Sequence, residues 1–174
     1  MKNLFLFQFA MVLLILMAHS NLQAQEMELP YKEIPAYPSN YSSGNVVSRM
    51  IDGLGYRYYW ATEGLTEKDL TYKPSEDGRT ILETLEHIHV MSNNILLAPD
   101  AKPYERPKNP PKYSYEELRA LTLQNLKAAT LKILGKSSQE MEHFKVIFKL
   151  GCSVSLFKYY FKMFHFLRAF TQDS

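Results

Sequence analysis

Five prolines lie within residues 98–113, and this stretch constrains the fold more than any other part of the chain. Proline lacks an amide hydrogen and has a fixed φ, so a helix cannot continue through such a segment. Capping boxes at residues 80–83 and 114–117 flank it, each with a hydroxyl residue followed three positions later by glutamate. The sequence therefore predicts a helix from the first box to about Leu97, an irregular crossover, and a helix from the second box to Gly135.

Two further segments show helical periodicity. Between Asn45 and Glu63, apolar and aromatic residues recur at three- and four-residue steps, and Gly53 and Gly55 permit a neighbour to approach closely. A weaker pattern over residues 138–150 predicts a fourth segment. No stretch alternates apolar and polar residues for long enough to predict a strand. We therefore expect an all-α fold, and an up-and-down four-helix bundle is the natural packing for helices joined in this way.

The N-terminal residues have the order of a secretory signal peptide. A singly charged start precedes an apolar run from Leu4 to Ala18 and a polar stretch, with cleavage expected after Ala24. The run is short of the roughly 20 apolar residues that span a membrane, although an uncleaved anchor is the alternative. We therefore expect a signal peptide at 1–24, an extended lead-in at 25–44 and a helical domain at 45–170, exported to the periplasm or secreted.

Charge and cysteine content exclude several classes of function. The expected cleavage leaves 19 Lys and Arg against 18 Asp and Glu. The part of the cleaved chain before Phe144 carries 14 basic and 17 acidic residues, with no basic stripe of the kind that binds nucleic acid. Nucleic-acid binding is therefore not expected. The single cysteine, Cys152, excludes an internal disulfide and a paired-cysteine metal site.

Several short segments, in order, carry a family resemblance: Gly-Leu-Gly-Tyr at the start of residues 53–65, Asp69-Leu70, Lys73-Pro74 and Leu85-Glu86-His87-Ile88. Over roughly residues 45–150 the chain resembles the DinB-like (damage-inducible) superfamily. The resemblance implies a four-helix bundle that holds a divalent metal, such as Zn, Ni or Fe, through three histidines. It also implies a metal-dependent hydrolase or thiol transferase that acts on a small-molecule substrate.

Only one of the three ligands of that family has a match here. His87 matches the histidine of the second helix, whereas the other two lie four residues apart on the last helix, one turn apart on one face. After His89 this chain has only His143 and His165. The expected metal site is therefore incomplete, and a chain without a metal is the alternative. The resemblance ends near Gly151, which suggests a frameshifted or truncated last helix.

Periodicity and resemblance favour different histidines of the second helix. His89 falls inside the apolar arc of that helix, which predicts burial, and His87 falls on its flank. The resemblance nevertheless makes His87 the expected metal ligand. Glu63, Glu83 and Glu86 are candidates for carboxylate ligands or a base, although acidic residues are also common at helix termini.

The tail between Val154 and Phe170 has the pattern of a basic amphipathic helix. Its basic face carries Lys158, Lys162 and His165, and its apolar face carries Phe157, Tyr160, Phe164 and Leu167. Such a helix either closes the bundle or lies on an anionic membrane. The alternative function is therefore a non-catalytic, exported binding or interaction protein whose tail contacts a membrane or a partner. A homodimer is also compatible with the sequence.

Overall fold

The computed structural model describes residues 28–148 and 152–172, with side chains up to residue 165. The expected signal peptide at 1–24 and the point near Gly151 where the resemblance ends lie outside the described residues. The fold is mostly helical. Its elements are α1 (Ser43–Ala61), α2 (Glu67–Thr71), α3 (Ile81–Leu97), a 3-10 turn (Ala98–Asp100), α4 (Tyr115–Ile133), α5 (Ser138–Met141), β1 (Lys145–Ile147), β2 (Ser153–Ser155) and α6 (Leu156–Gln172).

Both predicted capping boxes form. At the start of α3, the Thr80 hydroxyl accepts the Glu83 amide at 3.0 Å and the Glu83 carboxylate accepts the Thr80 amide at 2.7 Å. Ser114 and Glu117 make the same pair of hydrogen bonds at the start of α4. After the 3-10 turn the crossover contains no further helix before Tyr115. The chain leaves α4 through Gly135, whose φ of +78° suits glycine.

The core lies where α4 packs against both α1 and α3. Each of these three helices contributes fully buried apolar side chains. They include Ile51, Leu54 and Tyr58 from α1, Leu85, Ile88 and Ile95 from α3, and Leu123, Leu126 and Ile133 from α4. Helix α6 packs against α3 and α1 and adds Leu156 and Met163 to the same core. The core therefore sits between helices that are distant in sequence.

The predicted lead-in contributes to this core. Tyr31 is 4% exposed, and its hydroxyl forms a 3.3 Å hydrogen bond with the Thr130 hydroxyl. A Cβ on Gly55 would lie 2.5 Å from ring carbons of Tyr31, so the absence of a side chain there lets the ring pack on α1. By contrast, nothing lies within 4 Å of a Cβ on Gly53. The predicted close approach is thus confirmed at Gly55 and wrong at Gly53.

The prediction of a helical segment over residues 138–150 is wrong for most of its length. Only Ser138–Met141 is helical, and Lys145–Ile147 then pairs antiparallel with Ser153–Ser155. β-Branched Val146 and Ile147 favour a strand. Because alternate residues of a strand point to the same side, Phe144 and Val146 can both enter the core while Lys145 stays in solvent. The fold therefore contains a small hairpin that the all-α prediction missed.

The tail is helical, as predicted, but its exposed face differs from the prediction. Tyr159, Tyr160 and Met163 are buried, whereas Phe157 and Phe161 are 51% and 49% exposed. The sequence places Phe157 and Tyr160 on one apolar face, but of these two only Tyr160 is buried. Within residues 28–148 and 152–172, no helix combines the length and apolar character needed to cross a membrane.

Candidate functional site

A cavity of about 320 Å³ opens on the flank of α3 that carries His87. Helix α3 supplies one wall, because His87, Val90, Met91 and Asn94 follow one another at three- and four-residue spacing and so share a face. Met91 is buried at 2% exposure, and His87 is half-buried. The predicted flank residue is therefore part of a concave surface.

The other walls come from parts of the chain that are distant in sequence. The crossover adds Tyr104 and Arg106, and the hairpin adds Ile147 and Phe148. Helix α6 adds Tyr159 and Lys162. Val90, Met91 and Ile147 give the cavity an apolar interior, and the polar groups come from three elements, which are α3, the crossover and α6. Small-molecule sites share this kind of lining, and the volume lies near the lower limit of their range.

The electrostatic character of the cavity is basic. Burial lowers the pKa of His87, and the positive charges of Arg79, Lys162 and Arg106 lower it further. His87 is therefore neutral at pH 7. None of the described residues that line the cavity is acidic. Among the residues that the structure describes, neither Arg106 nor Lys162 forms an ion pair.

One hydrogen bond joins two walls of the cavity. The Asn94 side-chain amide donates to the Tyr159 hydroxyl at 2.8 Å, linking α3 to α6, and also to the Val90 carbonyl at 3.2 Å. Burial raises the pKa of Tyr159, so the phenol keeps its proton at neutral pH. Since the oxygen already accepts from Asn94, the hydroxyl proton is available as a donor.

His89 lies elsewhere, as its place in the apolar arc predicted. It is 8% exposed, and burial lowers its pKa. The Asn93 amide lies 3.2 Å from Nε2, and the Thr122 hydroxyl of α4 lies 3.4 Å from Nδ1. The Tyr113 ring packs edge-on against the imidazole. His89 therefore fills a polar niche between α3 and α4, away from the cavity that His87 lines.

The donor set around His87 does not fit the metal centre that the resemblance implies. Throughout residues 28–148 and 152–172, no three His, Cys, Asp or Glu side chains are grouped so that they could hold a metal ion. His143 and His165 are exposed. The nearby charges of Arg79, Arg106 and Lys162 would repel a cation at His87.

The three candidate carboxylates do not line the cavity either. Glu63 forms an ion pair with Arg119, whose guanidinium also donates to the Tyr59 carbonyl and the Thr62 hydroxyl. Glu83 is held in its capping box, and Glu86 is exposed. The interpretation of Glu83 as a helix cap is therefore the one that the geometry supports.

Sequence reasoning missed most of the residues that surround His87. Arg106 lies in a proline-rich crossover without periodicity, so no spacing indicates that it folds over α3. Asn94 is a polar residue near the end of a helix, and only its contact with Tyr159 gives it a role. For Lys162 the sequence offers one signal of a functional role, which is its charge on the predicted basic face.

Comparison of the chain with protein-family models, with curated proteins and with solved structures finds no match.

Proposed function

We propose that this chain is an exported, DinB-like four-helix bundle that binds a small molecule in the cavity beside His87. The bundle would consist of α1, α3, α4 and α6, which are the four helices of at least 17 residues within the described part of the chain. The sequence resemblance over residues 45–150 supports the assignment to that family, and the apolar run at Leu4–Ala18 supports export.

The observation that carries the proposal is the cavity itself. A volume of about 320 Å³ falls at the lower end of the range for ligand pockets, roughly 300–1,000 Å³. Its walls come from α3, the crossover, the hairpin and α6, so a ligand would contact four elements at once. Because His87 lacks a fitting donor set, we assign it to the wall of a binding pocket and derive no metal-dependent step.

A neutral fluorophore tests the presence of a binding site. N-phenyl-1-naphthylamine is apolar, uncharged at pH 7 and more fluorescent when it leaves water. We expect saturable fluorescence enhancement with the purified protein. Val90→Trp should abolish it, because the indole would occupy the cavity. Leu131→Trp is the matched control, since Leu131 is 61% exposed on α4 and outside the cavity.

Two outcomes would reject this function. One is the absence of saturable binding by the wild-type protein. The other is equal binding by wild type and Val90→Trp, with thermal unfolding showing that the variant is folded. Zinc titration adds an independent check: one tightly bound equivalent that disappears in His87→Ala would restore the metal-centre interpretation.

A second candidate function rests on α6. Phe157 and Phe161 stack edge to face, with ring centroids 4.9 Å apart, while both remain about half exposed. Lys158 is exposed beside them, and residues 152–172 contain no Asp or Glu. Exposed aromatic rings beside basic side chains favour an anionic phospholipid surface.

Vesicle flotation tests this second function. We expect the protein to float with vesicles that contain phosphatidylglycerol and not with pure phosphatidylcholine. The double substitution Phe157→Ser and Phe161→Ser should reduce flotation. Tyr37→Ser and Tyr41→Ser provide the matched control, because both tyrosines are exposed in the lead-in. Unchanged flotation of the phenylalanine variant would reject a membrane role for α6.

A further inference from the structure

The polar groups of the cavity beside His87 share one property, which is that they donate hydrogen bonds or carry positive charge. Arg106 and Lys162 are exposed at the edge of the cavity. Tyr159 has a hydroxyl proton available for donation, because its oxygen already accepts from Asn94. Acidic side chains are missing from the described lining. The site therefore offers donors to a ligand and lacks a carboxylate that would hold a cation.

The two cations come from elements that only the fold brings together. Arg106 belongs to the crossover and Lys162 to α6, 56 positions later in the printed sequence. Both line the same cavity as His87, and the positive charge of each lowers the pKa of that histidine. Within residues 28–148 and 152–165, no carboxylate pairs with either of them. An anion at the edge of the cavity would meet two charges that lack a described ion-pair partner.

The interior of the cavity is apolar, in contrast to its positively charged edge. Met91 is buried, and Val90 and Ile147 are half-buried. Phe148 lies at the edge, where its ring packs against that of Tyr159 with centroids 6.0 Å apart. A polar group that filled this interior would lose hydrogen bonds that it makes in water, which disfavours its binding there. The interior therefore fits a hydrocarbon or aromatic body.

We propose that the cavity binds an organic anion with an apolar body, whose carboxylate is held at the edge by Arg106 and Lys162. This inference rests on the proposed function, because it names the ligand class of the same pocket. The body would lie against Met91 and Ile147, and the Tyr159 hydroxyl would donate to the carboxylate. Charge-assisted hydrogen bonds of this kind are about twice as strong as neutral ones.

Three probes of nearly equal size separate charge from shape. They are 2-naphthoate, 2-naphthamide and 2-naphthylmethylamine, an anion, a neutral amide and a cation at pH 7. Each is titrated as a competitor of N-phenyl-1-naphthylamine. We expect the anion to bind at least about tenfold more tightly than the amide, and the cation to bind most weakly. Arg106→Gln and Lys162→Gln should each weaken the anion by about three- to tenfold and leave the amide unchanged.

Lys158→Gln is the matched control for Lys162→Gln. It removes a lysine from the same helix, one turn away, that does not line the cavity. If the fluorophore binds but the amide or the cation competes as well as the anion, the anion proposal is wrong and the pocket remains. An anion affinity that is equal in wild type, Arg106→Gln and Lys162→Gln would also overturn it. If the fluorophore shows no saturable binding, the proposed function itself fails.

Discussion

Two regions of the molecule bury their aromatic and apolar side chains to different extents. In residues 43–133, α1, α3 and α4 direct fully buried side chains into one core, and two capping boxes fix where α3 and α4 begin. Residues 138–172 contain a four-residue helix, a two-stranded hairpin and α6, which leaves Phe157 and Phe161 exposed. The first region supplies most of the closed core, although Trp60 and Leu131 on its surface are also half exposed or more. The second region adds fewer side chains to that core, covers its edge, and leaves Phe157 and Phe161 about half exposed.

This difference explains where a binding site can form. A closed core leaves no space for a ligand, because protein interiors pack as densely as organic crystals. The cavity lies where the second region, together with the crossover, meets α3. Its chemistry is therefore set by residues from both regions, such as His87 from the first and Lys162 from the second.

The largest contrast is expected between a core side chain and an exposed ring. Leu126 is fully buried on α4, so Leu126→Ala should lower the free energy of unfolding by about 2–5 kcal/mol through lost burial and a residual cavity. Phe161→Ala should cost less than about 1 kcal/mol, since the ring is 49% exposed. Urea unfolding measures both. Similar losses of unfolding free energy in the two variants would contradict the half-exposed position of Phe161 on α6.

Two glycines in α1 provide a second test inside the closed region. Gly55→Ala should destabilise the protein by about 1–3 kcal/mol, because its Cβ would lie 2.5 Å from ring carbons of Tyr31. Gly53→Ala meets no atom within 4 Å and should stabilise it by about 0.5–1 kcal/mol through helix propensity. Thermal unfolding of the two variants measures both changes in stability. A Gly55→Ala protein as stable as the wild type would mean that Tyr31 does not pack on α1.

The capping boxes of the two regions should differ in how much they stabilise the folded protein. Ser114→Ala removes the cap of the 19-residue α4 and should cost about 1 kcal/mol. Ser137→Ala removes the equivalent cap of α5, which has four residues and buries none of them, so the cost should be smaller. Denaturant unfolding gives the loss of unfolding free energy for each variant. The ratio of the two losses measures how strongly α4 and α5 are coupled to the core. Equal losses would show that α5 is coupled to the core as strongly as α4.

The smallest effect concerns acid stability in the second region. The Lys136 ammonium and the Ser137 amide and hydroxyl lower the pKa of Glu140 from 4.5 to about 2. A depressed carboxyl pKa in the folded state contributes stability that is complete above pH 4.5 and is lost as the pH falls toward 2. Compared with Glu140→Gln, the wild type should therefore lose a small stability advantage over that window. Parallel pH profiles of thermal unfolding for the two proteins would refute the prediction.

Features that depend on neighbouring residues could be predicted from the sequence, whereas features that depend on tertiary packing could not. Residues 80–83 and 114–117 act within one helical turn, so their caps could be predicted from neighbouring residues alone. The burial of His89 followed from helical periodicity. Strand pairing of Val146 with Val154 depends on a partner eight positions away, and no pattern within either segment identifies it. Arg106 was missed for the same reason, because only tertiary packing brings the crossover next to α3.

The most direct test of the account is a crystal structure of the purified protein grown with 2-naphthoate in the presence of zinc. We predict the naphthalene ring between α3 and α6, with its carboxylate at hydrogen-bonding distance from Arg106 and Lys162. We also predict that His87 contacts the ligand without coordinating zinc. A zinc ion bound by His87 with two or more further protein ligands, or naphthoate bound away from this cavity, would contradict the account.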